Sequence, residues 1–79
     1  MTAAELADIA RSNFRANVRR IMAQRDLSQR QLGKAAVMTQ SAVSDLLNGP
    51  GYPTLISICR ICAALDVRPA AILISPSAR

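Results

Sequence analysis

The sequence predicts an all-α fold, a compact bundle of about five short helices forming one domain over residues 1–79. Three observations predict it. Hydrophobic residues make up 51% of the chain, yet Phe14 and Tyr52 are the only aromatics. The core must therefore be built from Leu, Ile, Val, Met and Ala, which suits packed helices better than a sheet sandwich. Apolar residues recur at spacings of three and four. Ser or Thr stands ahead of these runs, where a side-chain oxygen accepts an orphan helical N–H. A chain of 79 residues is close to the lower size limit for a self-supporting core, so burial must be efficient.

The elements follow in order. Thr2-Ala-Ala-Glu5 has the form of a capping box. Leu6, Ile9, Phe14, Val18, Ile21 and Met22 then keep helical spacing. Ser12-Asn13 interrupts them, and both residue types favour caps over helix interiors. The expected division is a leading helix near 3–11 and a main helix near 13–25, with one continuous helix as the alternative. Ser28 caps the next helix, with Gln31 at the capping-box position and Leu32, Ala35 and Ala36 inward. After the Val37-Met38 turn, Thr39 caps a helix running to about Asn48, with Val43, Leu46 and Leu47 as its apolar positions. Asn48-Gly49 stops it, since both residues tolerate the left-handed conformation. Residues 49–53 form the longest loop. Thr54 caps a helix whose core stripe is Leu55, Ile58, Ile61, Cys62 and Leu65. Asp66-Val67 breaks it, Arg68-Pro69 opens a short last helix, and residues 75–79 form a tail.

Composition narrows the function. Ten basic and five acidic residues leave a net charge of +5, which favours polyanionic partners, nucleic acid before an acidic membrane surface. The chain has no histidine, no Gly-rich phosphate loop and no paired carboxylates in a catalytic context. An enzyme, a cofactor and a metal site are therefore not expected. Cys59 and Cys62 have half-zinc or redox spacing but no second pair, and they are expected to pack as small hydrophobes in the core. No early basic cluster precedes an apolar run, and no apolar stretch reaches the ~18–20 residues that span a bilayer. A soluble, cytoplasmic protein is expected.

The segment from Leu27 to Gly49 carries the sharpest signal. It holds two short capped helices around a tight turn, and Gly33, Ala35 and Ala36 leave little volume between them, which permits a steep, close crossing. Gln40, Ser41, Ser44 and Asp45 remain polar near the N-terminal end of the second helix, the arrangement a major groove accepts. A glutamine such as Gln40 can pair bidentately with adenine N6 and N7. Arg11, Arg15 and Arg19 fall four apart as a basic stripe, and Arg15 and Arg19 are candidate phosphate contacts, as are Arg30 and Lys34 on the second helix. The free N–H groups after Thr54 are a further candidate.

Leu27-Ser28-Gln29, Leu32, Gln40-Ser41, Val43 and Leu46 to Gly49 resemble the DNA-binding domains of lambdoid phage repressors and Cro, the XRE-type helix-turn-helix regulators. The resemblance extends over residues 13–74. It implies a lambda repressor-like domain with its helix-turn-helix at 28–48, and a phage or bacterial repressor whose 39–48 helix enters the major groove of double-stranded DNA. Gln40, Ser41, Ser44 and Asp45 would then face base edges, and Gln29, Thr39 and Asn48 the backbone. It further implies a homodimer on a palindromic operator, for which Ile72, Leu73 and Ile74 are the contact candidates unless they close the core. No small-molecule ligand is implied. An antitoxin or a restriction-modification controller is the alternative within DNA binding, and a protein-interaction adaptor the alternative outside it.

The match departs from the family at particular positions. Val37 stands where glycine is usual in the turn, and a β-branched residue disfavours positive φ. Gly33 replaces the usual alanine, which weakens a helix by roughly 1 kcal/mol. Met22 and Leu47 stand where an arginine and a glutamate often pair, so an apolar contact is expected instead. Asp45 is repelled by phosphate unless it accepts from cytosine N4 or orients an arginine. The 49–53 loop carries no basic residue.

Overall fold

The computed structural model describes residues 1–76, and residues 77–79 of the expected tail lie outside that range. Five helices run in the order α1 (Ala3–Arg25), α2 (Gln29–Ala36), α3 (Gln40–Asn48), α4 (Leu55–Leu65) and α5 (Pro69–Leu73). No strand occurs among the described residues. Helix starts match the expected caps. Thr2 and Ser28 form complete capping boxes with Glu5 and Gln31. Thr39 and Thr54 accept from the backbone N–H groups of Ala42 and Ser57. Hydrogen bonds from Thr2 lower the Glu5 carboxyl from its ordinary value, because they favour its charged form.

The first helix does not divide at Ser12-Asn13. It is one 23-residue element. Ser12 is exposed on its surface, and the Asn13 amide donates to the Leu73 carbonyl at 3.1 Å instead of capping a helix. A tertiary acceptor has replaced the local one that asparagine would otherwise seek.

Helices α1, α2 and α4 end alike. Asp26, Val37 and Asp66 adopt the left-handed conformation with φ of 55°, 57° and 56°. In each case the next N–H reaches back to close a Schellman turn: Leu27 to Met22 at 2.9 Å, Met38 to Gly33 at 2.8 Å, Val67 to Cys62 at 3.0 Å. Leu27, Met38 and Val67 each pack against the core as their helix ends. Helix α3 is different. Gly49 is extended, at φ −73° and ψ 167°, and not left-handed as its sequence position suggested. It is needed for closeness, because a Cβ there would lie 2.7 Å from the Asp45 carbonyl oxygen.

One core joins all five helices. Phe14, Val18, Ile21 and Met22 of α1 meet Leu32 and Ala36 of α2, Val43 and Leu47 of α3, Ile61, Cys62 and Leu65 of α4, and Ile72 of α5. Met22 and Leu47 are both buried in this cluster, as the apolar replacement of a charged pair requires. Several expected core positions are instead exposed: Leu6, Ile9, Ala35, Leu55 and Cys59. Leu6 and Ile9 lie on the first turns of α1, before Phe14 enters the core. Leu55 opens α4 ahead of the buried run, and is 75% exposed. Of the cysteines only Cys62 is buried, and both are unpaired. Burial first, and then Cys59, pushes the Cys62 thiol above its ordinary value.

The polar side chains of α1 finish the other helices. Arg25 donates to the Leu65 carbonyl at the end of α4, at 2.8 Å. Asn17, only 2% exposed, donates to the Ile72 carbonyl at 2.8 Å and the Ile74 carbonyl at 2.9 Å at the end of α5. These bonds satisfy last-turn carbonyls that have no partner within their own helix.

Candidate nucleic-acid interface

Helices α2 and α3 cross at Gly33. A Cβ at that position would stand 2.7 Å from the Met38 carbonyl oxygen, so only glycine allows the turn to approach this closely. The close approach fixes where α3 begins. Ala35, expected to share this role, points outward.

Helix α3 has two unlike faces. Val43 and Leu47 are buried, and Leu46 packs partly against the core. Gln40, Ser41 and Asp45 are exposed and Ser44 is half-buried. Among the described residues no side-chain hydrogen bond or ion pair engages Gln40, Ser41, Ser44 or Asp45. Gln40 is the first residue of α3 and Gln29 the first of α2, each directly behind a capping hydroxyl. Arg30 and Lys34 are exposed on α2, also without a partner among the described residues. The Thr39 oxygen is occupied by the Ala42 N–H at 3.0 Å. Thr54 accepts from the Ser57 N–H at 3.2 Å and donates to the Ser57 hydroxyl at 2.8 Å.

The arginine stripe lies against the end of α3 and the loop that follows it. Arg15 donates through Nε to the Leu46 carbonyl at 2.9 Å and through Nη2 to the Gly49 carbonyl. Arg19 donates through Nη2 to the Leu47 carbonyl at 2.6 Å and to the Asn48 amide oxygen. The Asn48 amide nitrogen donates back to the Ser44 carbonyl at 3.1 Å. Arg15, Arg19 and Asn48, three candidate backbone contacts, are thus engaged within the protein. Burial first, and then the charges of Arg11 and Arg19, hold the Arg15 guanidinium below its ordinary value.

Arg11 completes the stripe and closes the loop. It donates to the Pro50 carbonyl at 2.8 Å and the Gly51 carbonyl at 3.1 Å. Its guanidinium carbon lies 4.4 Å from the centre of the Tyr52 ring, and it pairs with Asp8 at 3.4 Å. The Tyr52 hydroxyl donates to the same Asp8 oxygen. Accepting that bond, Asp8 raises the tyrosine above its ordinary value, chiefly because only the protonated phenol can donate.

Among the three candidate dimer contacts, Ile72 is 1% exposed and closes the monomer core. Leu73 is half-buried against that core, and Ile74 is the exposed one, at 50%. Sequence reasoning missed Asp8, Tyr52, Asn13 and Asn17 as tertiary anchors. The four-residue spacing of Asn13 and Asn17, beside that of the arginines, was the available signal.

A protein-family model described as helix-turn-helix matches residues 18–72. No curated protein matches the chain. The matched span opens at Val18, inside α1, so Arg11, Asn13, Arg15 and Asn17 precede it.

Proposed function

The chain belongs to the helix-turn-helix family of DNA-binding regulators, in its XRE and lambda repressor-like branch, and we propose that it is a sequence-specific transcriptional repressor that reads the major groove with α3. The observation that carries this reading is the two-faced character of that helix. Val43 and Leu47 anchor it, while Gln40 and Ser41 stand exposed and unpartnered at its N-terminal end and Asp45 likewise further along the same helix. That is the end a recognition helix presents to base edges. The Gln40 amide pairs with adenine N6 and N7, Ser41 and Ser44 bond to either base class, and Asp45 accepts from cytosine N4.

Phosphate contact falls to groups whose donors are free of internal bonds, Gln29, Arg30 and Lys34 around α2, together with the first N–H groups behind Thr39 and Thr54. The net charge of +5 supports association with a polyanion. One such domain covers little DNA. The protein therefore acts as a homodimer on a palindromic operator with half-sites about one helical turn apart, in the cytoplasm and by binding rather than by catalysis. Ile74 and Leu73 are the contact residues left available.

The test is selection of duplexes from a random pool, followed by fluorescence anisotropy at several salt concentrations beside Gln40→Ala. Enrichment of a palindrome is expected, with binding that weakens steeply with salt. Gln40→Ala is expected to relax preference at one base pair by about 1–3 kcal/mol. A pool with no enriched sequence, and weak binding even at low salt, overturns the reading.

A further inference from the structure

Helix α3 alone among α1 to α4 lacks a left-handed C-terminal turn. Its end carries a single backbone bond, from the Gly49 N–H to the Asp45 carbonyl at 2.8 Å. The Schellman turns of α1, α2 and α4 satisfy two carbonyls each. At α3 the Leu46, Leu47 and Gly49 carbonyls are met instead by Arg15 and Arg19 from α1. A guanidinium suits this role. Its planar fork reaches two carbonyls at once, and its charge complements the negative end of the helix.

We propose that Arg15 and Arg19 are positioning residues that set the tilt of α3, and so control sequence discrimination without touching the nucleic acid. The proposal rests on the reading of α3 as the DNA-reading helix. Helix α3 is only nine residues long. Its N-terminal end is placed by the close approach at Gly33, Val43 seats its middle, and Leu47 seats its last turn through apolar contact alone. Without the arginines its C-terminal end has no polar attachment to α1. Gln40 lies about 12 Å from Asn48 at ~1.5 Å per residue, so a small tilt at the far end moves the Gln40 amide out of base-pairing geometry. Arg15 precedes the family-matched span, so part of the clamp belongs to a stretch of α1 that lies outside the match.

The decisive variants are Arg15→Lys and Arg19→Lys, singly and together. Each keeps the positive charge and removes the fork. For the folded variants, affinity for the selected duplex and for a scrambled one is measured across salt concentrations. Amide hydrogen exchange is followed at Gly49, with Leu32 in α2 as the internal reference. The proposal expects the specific-to-scrambled ratio to fall roughly tenfold in the double variant, the scale of one lost base contact. It expects an unchanged salt slope and faster exchange at Gly49 alone. Should the double variant not fold, the single variants make the same comparison. Lysine variants that keep the ratio and the Gly49 exchange, with Arg15→Gln and Arg19→Gln each lowering the salt slope by about one, identify phosphate contacts and overturn the proposal. If the unmodified protein prefers no duplex, the DNA reading of α3 fails on its own. Gly49 exchange then decides the clamp: faster exchange in the lysine variants supports it, and unchanged exchange overturns it.

Discussion

The Met38 carbonyl oxygen lies 2.7 Å from the place a Cβ on Gly33 would occupy, and the Met38 N–H donates to the Gly33 carbonyl at 2.8 Å. The two residues therefore hold the turn from both sides, and glycine is required by contact and not by dihedral angle. Alanine normally stabilises a helix interior by about 1 kcal/mol over glycine. Here the added methyl meets backbone, which cannot rotate away, and overpacking of that kind costs about 1–3 kcal/mol. Gly33→Ala is expected to lower stability by about 1 kcal/mol net, read as a drop in the urea midpoint. A variant at least as stable as the parent would show that the turn can yield.

Val37 bears a different strain. Its φ is 57° and its side chain is 78% exposed, so burial does not compensate for the left-handed backbone. That conformation costs an L-residue about 1–2 kcal/mol, and glycine returns about 0.4–1 kcal/mol to the unfolded chain as freedom. Val37→Gly is expected to stabilise by about 0.5–1 kcal/mol. Asp66→Gly, at φ 56°, should gain less, since aspartate tolerates this region better. Chemical denaturation of the two variants side by side checks the ordering. A Val37→Gly protein no more stable than its parent would mean that Val37 is unstrained.

Tyr52 is the sole tyrosine in a chain without tryptophan, so its ultraviolet titration is read without interference. Its ionisation is raised by the bond to Asp8. The sign follows directly: the stability this bond contributes is fully present below the unfolded tyrosine value of about 10, and is lost as pH rises through the higher folded value. The expected titration midpoint lies above that of free tyrosine, and Asp8→Ala brings it down. A midpoint indifferent to Asp8→Ala would rule out the bond in solution.

Asn17 carries the end of α5. Replacing it with leucine leaves the Ile72 and Ile74 carbonyls without their donor, and an unsatisfied buried polar group costs about 1–3 kcal/mol. Asn17→Leu is expected to destabilise by about 1–3 kcal/mol, with amide exchange at Ala71 accelerating first, since its N–H bonds Arg68 in the same short helix. Uniform acceleration across all five helices, or no loss of stability, would contradict a specific role for Asn17 at α5.

The caps and the two-faced α3 were legible in the chain itself because they are local. Thr2 bonds Glu5, Ser28 bonds Gln31, Thr39 bonds Ala42 and Thr54 bonds Ser57, all three residues apart. Such contacts depend on residue type and helical geometry alone, so the sequence by itself determined where α1 to α4 begin and the polar edge of α3. Only the tertiary structure decided what the long side chains of α1 do. Arg11, Asn13, Arg15, Asn17 and Arg19 find their acceptors 28 to 60 positions away. A spacing of four says that they share faces of one helix, but not whether a phosphate or a carbonyl waits opposite. Both are acceptors for the same donor, and packing supplied carbonyls by bringing the open end of α3 against α1. The same packing kept α1 whole through Ser12-Asn13, since Leu73 supplied the bond that would otherwise have favoured a cap. It also left Leu6, Ile9 and Leu55 outside a core whose depth no periodicity reveals.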